Sequence, residues 1–317
     1  MRNTLSASEK SLTVRAAWLH YVGGLKQSEV AKTLGVPSVK AHRMIARAVS
    51  EGIVKVSIDD EIIECIELGN LLAKKYSLNI CEVAPHLTEN DDLPLRALGN
   101  AGADFIRRHL ELGDHKLIGI GHGRTLAAAI RQLPRVDTKG ARFVSLLGGL
   151  TRNFAANPHD VMHLIAEKTS AQAYVVPVPF FANTSEDRQV LLAQKGVKDI
   201  FDIGQSATLK LVGIGTVGPE TQLVQSEMIE SSEINEVVKK GGVGELLGHF
   251  YSREGKLLET MLTSRTLAIS VGEKISGEVV ALAGGSKKVD PLRAVLESGR
   301  LTGLITDELT AKALVNG

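Results

Sequence analysis

Residues 25–56 read LKQSEVAKTLGVPSVKAHRMIARAVSEGIVKV. Apolar Leu25, Val30, Ala31 and Leu34 recur at helical spacing, Gly35 interrupts them, and a second amphipathic run with Val39, Ile45, Ala46 and Val49 follows at once. Two short helices meeting at a glycine turn form a helix-turn-helix. Ala31 is small where the first helix must cross close to the second, Gly35 can take positive φ without strain, and Val36 can fill the gap between them. The exposed face of the second helix, entered through Pro37, then carries Ser38, Lys40, His42, Arg43 and Arg47, while Gln27 and Ser28 open the first helix. These residue types contact phosphates and base edges in the major groove of double-stranded DNA.

The flanks extend this pattern. Residues 51–58, EGIVKVSI, hold a helix stop and then an alternating strand with Val56 and Ile58 on one face, which predicts the winged form. Upstream, SLTVRAAWLHYV (Ser11–Val22) predicts a helix whose Val14, Ala17, Trp18 and Tyr21 pack on the two that follow, with Trp18 as anchor. Residues 1–60 hold nine Lys and Arg against five Asp and Glu, so positive charge gathers at the DNA-reading helix although the whole chain carries only +1. So small an excess calls for binding by more than one copy, a dimer or tetramer.

At 317 residues, 44% of them hydrophobic, the chain suits two domains with a real core. The divisions fall at residues 1–58 for the winged helix-turn-helix, 59–77 for a connector helix and 78–317 for a second domain. The connector, DDEIIECIELGNLLAKKY, sets Ile62, Ile66, Leu68 and Leu72 on a broad apolar face, a candidate dimerisation surface. Cys65 and Cys81, the only cysteines, lack metal-ligand spacing and read as small core residues, so neither a metal nor a cofactor is expected. The opening MRNTLSASEKS lacks an apolar signal region and no apolar run is long enough for a bilayer. A reducing cytoplasm without a membrane partner is the expectation.

From Asn79 the pattern changes to apolar strands alternating with helices. Strands are predicted at 79–83, 143–147, 173–178, 209–214, around 265–271 and 279–283, and at 303–306, with helices at 93–110, 159–169, 186–194, 291–298 and 308–314, and HKLIGIGHGRTLAAAIRQL (115–133) reads as a buried strand, a glycine-rich turn and a helix. Continuous apolar strands between helices predict an α/β class with a mostly parallel sheet covered on both faces, an αβα sandwich. Ligands bind outside the carboxyl ends of such strands, where this sequence concentrates glycine and small polar residues. The sharpest turn is GIGHGRT: Gly121, His122 and Gly123 can bring backbone N–H groups to an anion at a helix N-terminus, and Arg124 and Thr125 add donors. It is not a Walker A loop, because no GK[ST] follows, and it is a poor dinucleotide fingerprint. Gly148 and Gly149, Gly215 and Thr216, Gly284 and Gly285, and Asp307 end other strands. Asn153, Asn157 and His159 can meet hydroxyls, although helix capping explains Asn157 or His159 as well. Lys287 and Lys288 can reach a phosphate, and Phe180 and Phe181 can wall a pocket or pack in the core.

The segments RAAWLHYVGGLKQSEVAKTLGV, GIGHGRTLAAAI, VGIGTVG, VVALAGG and LITDELTAKAL, in that order, resemble the SorC/DeoR-type (sorbitol-operon repressor) family of bacterial transcriptional regulators over residues 14–314. The resemblance implies a winged helix-turn-helix joined to a sugar-binding domain of the ribose-5-phosphate isomerase-like type, usually tetrameric, whose hold on an operator changes when a sugar, sugar alcohol or sugar phosphate binds. Pro37-Ser38 departs from the family's usual Ser-Arg at the start of the recognition helix, which removes one base contact. His122 stands where a tryptophan is frequent. The segment LLGGLTRNFAANPHDVMH is similar to the erythritol-catabolic branch.

The competing class is an enzyme of isomerase-like fold, which moves a proton between C1 and C2 of a sugar phosphate with a carboxylate base. Asp307, Glu308 or Asp202 could serve as that base. Against it, no histidine is paired to a carboxylate by a local motif, and a DNA-reading module has no use in an isomerase; a shared fold does not transfer a reaction.

Overall fold

A computed structural model describes residues 7–51, 53–54, 62–89, 92–151, 161–270 and 277–317. The chain forms two compact units, Met1–Asp60 and Glu61–Gly317.

In the first unit α1 (Ala7–Ala17) runs into a π-helical turn at Trp18–Val22, followed by α2 (Gln27–Leu34) and α3 (Ser38–Ser50). Gly35 ends α2 in the left-handed region at φ 64°, and the Val36 N–H returns to the Ala31 carbonyl at 3.0 Å. The core holds Ala16, Val30, Ala31, Ala41, Met44 and Ile45, with Leu12, Leu19, Leu25, Leu34 and Val36 packed around it. Trp18 is not its anchor. It is 61% exposed, with Val14 and Tyr21 exposed beside it. Leu12, Ala16 and Leu19 share the i, i+4, i+7 spacing of Val14, Trp18 and Tyr21, so periodicity alone could not choose which face turns inward. In α3 the buried set is likewise Ala41, Met44, Ile45 and Ala48, while Val39 and Val49 are exposed. The chain leaves α3 through Ile53 and Val54, whose N–H groups both reach the Ala48 carbonyl. Val56 and Ile58, on which the wing strand was read, lie outside the described residues.

The second unit runs α4 (Ile63–Tyr76), β1 (Ile80–Ala84), α5 (Leu95–Leu112), β2 (Leu117–Ile120), α6 (Arg124–Gln132), β3 (Arg142–Leu150), α7 (Met162–Thr169), β4 (Ala173–Pro179), α8 (Ser185–Ala193), α9 (Lys195–Gln205) and β5 (Leu209–Val212). It continues β6 (Gly215–Thr216), α10 (Gln222–Gln225), α11 (Ser231–Lys239), β7 (Gly242–Leu246), β8 (His249–Ser252), α12 (Met261–Arg265), β9 (Glu278–Leu282), α13 (Val289–Glu297), β10 (Gly303–Asp307) and α14 (Glu308–Asn316). Seven strands form one parallel sheet in the order β1-β10-β9-β5-β2-β3-β4. Alternate residues feed two cores: Val280 and Leu282 join Phe105, Ile118 and Leu126 on one face, and Val279 and Ala281 join Leu292, Leu304 and Leu314 on the other. Burial on both faces is why these strands read as unbroken apolar runs. The helix α4 packs against β1 and α14 within this unit.

Two regions differ from the sequence expectation. The sequence predicts a strand around 265–271, but Arg265 ends α12, and among the described residues the segment after it makes isolated bridges, Phe181 to Thr266 and Leu147 to Ala268. Buried Arg265 pins it, bonding the Asn183 carbonyl at 2.9 Å and the Glu233 carboxylate. The segment between β5 and α12 adds a small antiparallel sheet, β6-β7-β8, which no hydrophobic alternation announced because its strands are two to five residues long and rich in glycine.

Candidate functional site

The first unit presents a basic helix face. Pro37 is the N-cap of α3. Ser38, Lys40, His42 and Arg43 are exposed, as are Gln27 and Ser28 at the start of α2. Arg47 is tied to Glu51, with Nε 2.6 Å from Oε1. Lys40 and Arg43 have no ion-pair partner among the described residues. With Pro37, Thr13 and Glu9 they line a shallow groove.

The second unit has its pocket where the strand order reverses. Strand β2 leads to β3 and β4 on one side, the chain then returns through β5 to the other side, and such a switch leaves a crevice at the carboxyl ends. The loops after β2, β5 and β9 line it through His122, Gly123, Gly213, Ile214, Ala283 and Gly284. Gly123 holds φ 131°, which L side chains rarely adopt, and begins α6. The opening N–H groups of a helix have no partner within it, so this terminus, with Arg124 exposed beside it, offers donors and positive potential to the pocket. His122 sits edge-on to buried Phe180, ring centroids 5.0 Å apart; Phe180 belongs to the core and orients the imidazole.

A buried carboxylate faces these groups. Glu245 on β7 lines the pocket and is only 6% exposed. Its Oε1 accepts the Gly248 N–H, and among the described residues no donor is bonded to Oε2. Gly215 allows this: a Cβ there would lie 2.0 Å from Glu245 Oε2. Burial pushes the Glu245 carboxyl above the usual carboxylate range, opposed by the Gly248 N–H and by positive Lys288. Lys288 lines the same pocket and donates to the Ile214 carbonyl; burial brings its ammonium down to about 8, opposed by Glu245 and assisted by Arg124. Gln222 and Ser226 complete the polar lining, and Leu147, Leu223, Met228, Leu247 and Leu282 supply apolar walls. One carboxylate, an ammonium, a guanidinium and amide and hydroxyl groups on an apolar floor can grip a small polyhydroxylated molecule. Arg124 at the α6 terminus can take an anionic substituent on it.

Several sequence candidates have other roles. The Thr125 hydroxyl donates to the Leu282 carbonyl at 2.7 Å, fastening α6 to β9 instead of serving as a ligand donor. Asp307 caps α14: Oδ1 accepts the Thr310 N–H, and Oδ2 accepts the Thr310 hydroxyl and the Gly285 N–H. Gly148 and Gly149 lie inside β3, not at its end; a Cβ at Gly148 would meet the Pro179 carbonyl at 2.2 Å, so close approach to β4 accounts for that glycine. Gly121 is buried, its N–H on the Leu211 carbonyl. Thr216 contributes its carbonyl to Thr221. Lys287 pairs with Asp92 at 2.9 Å. Asn153, Asn157 and His159 lie outside the described residues. The carboxylates named for an isomerase are elsewhere too: Asp202 is exposed on α9, and Glu308 bonds the His86 N–H and Lys312. Sequence reasoning missed Glu245, Gln222, Ser226 and Met228, all from the segment around the small antiparallel sheet. A charged residue inside apolar GVGELLGHF was the one available signal.

The profile of the Sugar-bind family, a sugar-binding domain, matches residues 60–316. Over 311 residues, 98% of each chain, the sequence is 63% identical to the erythritol catabolism regulatory protein EryD of Brucella abortus. It is 27% identical over 317 residues to the transcriptional regulator LsrR of Klebsiella pneumoniae, covering 98% of this chain and 94% of that one. The full-length sorbitol operon regulator SorC from Klebsiella pneumoniae has the same fold, with a TM-score of 0.68 at 23% identity over 98% of this chain and all of the other.

Proposed function

The chain belongs to the sugar-binding-domain family of SorC/DeoR-type regulators, and on that premise we propose that it is a DNA-binding transcriptional regulator of polyol catabolism whose second unit takes a small polyol of the erythritol class. The observation that carries the regulatory reading is the 63% identity, over nearly the full length of both chains, to a protein named for regulating erythritol catabolism. The pocket supports the ligand class: Glu245 accepts from hydroxyls, Lys288 and Gln222 donate to them, and the apolar walls meet the carbon chain. A phosphorylated polyol would set its phosphate on Arg124 and the α6 N-terminus.

The first unit then reads an operator through α3, with Lys40 and Arg43 as the principal cations, and the chain acts as a homo-oligomer, because one helix face with so small a charge excess holds a half-site weakly. A thermal-shift screen of erythritol, its stereoisomers, longer polyols and their phosphates tests the ligand class. A ligand at a hundredfold its Kd stabilises the folded state by about 2.7 kcal/mol. Arg124→Ala should weaken a phosphorylated ligand by about tenfold to a hundredfold, the worth of a charge-assisted hydrogen bond at roughly 1.5 to 3 kcal/mol, and a neutral polyol by less. An unaltered melting temperature with every polyol and phosphate would remove the pocket from this role.

A further inference from the structure

The outer face of α4 carries three exposed apolar side chains among charged and polar ones and has no cover among the described residues. Ile63 is 68% exposed, and Ile66 and Leu71 are exposed on the same side; the opposite side, with Cys65, Gly69 and Leu72, is buried. Ile63, Glu67, Asn70 and Lys74 form a stripe at i, i+4, i+7 and i+11, flanked by Ile66 and Leu71, so that charged and apolar side chains share one exposed face. Charge is segregated along it. Glu64 and Glu67 stand in the first half and Lys74 in the second, while Lys75 is committed to the Leu314 carbonyl at 2.9 Å. Glu67 and Lys74 have no hydrogen-bond or ion-pair partner among the described residues.

This arrangement is complementary to itself in one orientation only. Two copies of α4 laid antiparallel about a two-fold axis bring the acidic half of each beside the basic half of the other, with Ile63, Ile66 and Leu71 in the seam. Laid parallel, they oppose like charges. Isologous two-fold contacts are the commonest way in which identical chains associate. We infer that the exposed face of α4 is a self-association surface, on which a second copy of this chain docks its own α4 in antiparallel register. The inference rests on the proposed homo-oligomer and names the face that forms one of its contacts.

Sedimentation of the full chain at a series of concentrations tests it, with charge reversals that leave the buried side of α4 untouched. Glu67→Lys alone and Lys74→Glu alone each replace two attractions in the symmetric pair by two like-charge contacts and should weaken one association step by about tenfold. The double variant, Glu67→Lys with Lys74→Glu, restores the complementarity and should recover the original constant. Ile66→Ser with Leu71→Ser should weaken that step further while circular dichroism and the melting profile show a folded protein. An oligomer that keeps its constants in all four variants overturns the α4 contact and leaves the oligomer standing. A wild-type chain that stays monomeric at high micromolar concentration overturns both. Loss in the single reversals without recovery in the double one overturns the antiparallel register.

Discussion

Glu245 carries the sharpest conflict between stability and function at the scale of single residues. Its carboxyl is buried against Gly215 with only the Gly248 N–H in place on Oε1, so the protonated form is favoured in the folded chain. Below the ordinary carboxyl value of 4.5 both folded and unfolded chains hold the proton and the group has no differential effect. As pH rises from there through the higher folded value, the unfolded chain ionises first, and stability falls. Glu245→Gln should therefore raise the melting temperature of the ligand-free protein near neutral pH and leave it nearly unchanged at pH 4, which calorimetry across that range would read. The same substitution replaces one carboxyl oxygen by an amide N–H, removes an acceptor for hydroxyls and should weaken polyol binding by about tenfold. A variant that is both more stable and weaker in binding is the signature of a group kept for its ligand. Lys40 and Arg43 make the corresponding case on α3. Either residue changed to alanine should weaken operator binding, by roughly 1 to 3 kcal/mol where it meets a base edge or with a shallower salt slope where it meets a phosphate. Salt-dependent fluorescence anisotropy separates those outcomes, and identical curves for both variants and the wild type would take α3 off the DNA.

Legibility changes at the scale of the element. The parallel strands and most helices were readable because each buries an apolar face with its own period; β9 was predicted at 279–283 and runs Glu278–Leu282. The turn between α2 and α3 was readable because only a residue tolerant of positive φ closes it at Gly35. Periodicity failed where two faces were equally apolar, as in α1 and the π-helical turn that continues it. Trp18 was assigned to the core there and stands in solvent. Trp18→Ala should consequently change unfolding free energy by no more than about 0.5 kcal/mol, the range of ordinary surface substitutions, whereas a buried aromatic would cost roughly 3 to 5. Chemical denaturation of the full chain distinguishes the two. The antiparallel sheet escaped for a different reason: β6 is two residues long, and glycines at 242 and 244 leave little side-chain pattern.

The fold of the whole molecule explains which part of the site could be foreseen. His122, Gly123 and Arg124, which line the pocket, were suggested by local chemistry, a glycine turn at a helix start, and Lys288 followed a glycine pair at the end of β9. Glu245 is more than a hundred residues from Arg124 in sequence and reaches the same pocket only because β7 pairs with β6, which begins at Gly215 just after β5. No local pattern encodes such a meeting. Asp307 shows the converse: a polar residue at a strand end, legible as a site, is consumed in capping α14. In the proposed function, occupancy of this pocket changes the affinity of the first unit for DNA, and a ligand can do so only by binding two states of the protein unequally. The most direct measurement titrates operator DNA with wild-type and Glu245→Gln protein, with and without the polyol that stabilises the wild type in the thermal screen. The polyol should shift operator affinity of the wild type at the concentrations that fill the pocket, and Glu245→Gln should bind operator equally well but need about tenfold more polyol for the same shift. A Glu245→Gln protein that responds at the wild-type polyol concentration, or a wild type that binds polyol with no change in its hold on DNA, would contradict it.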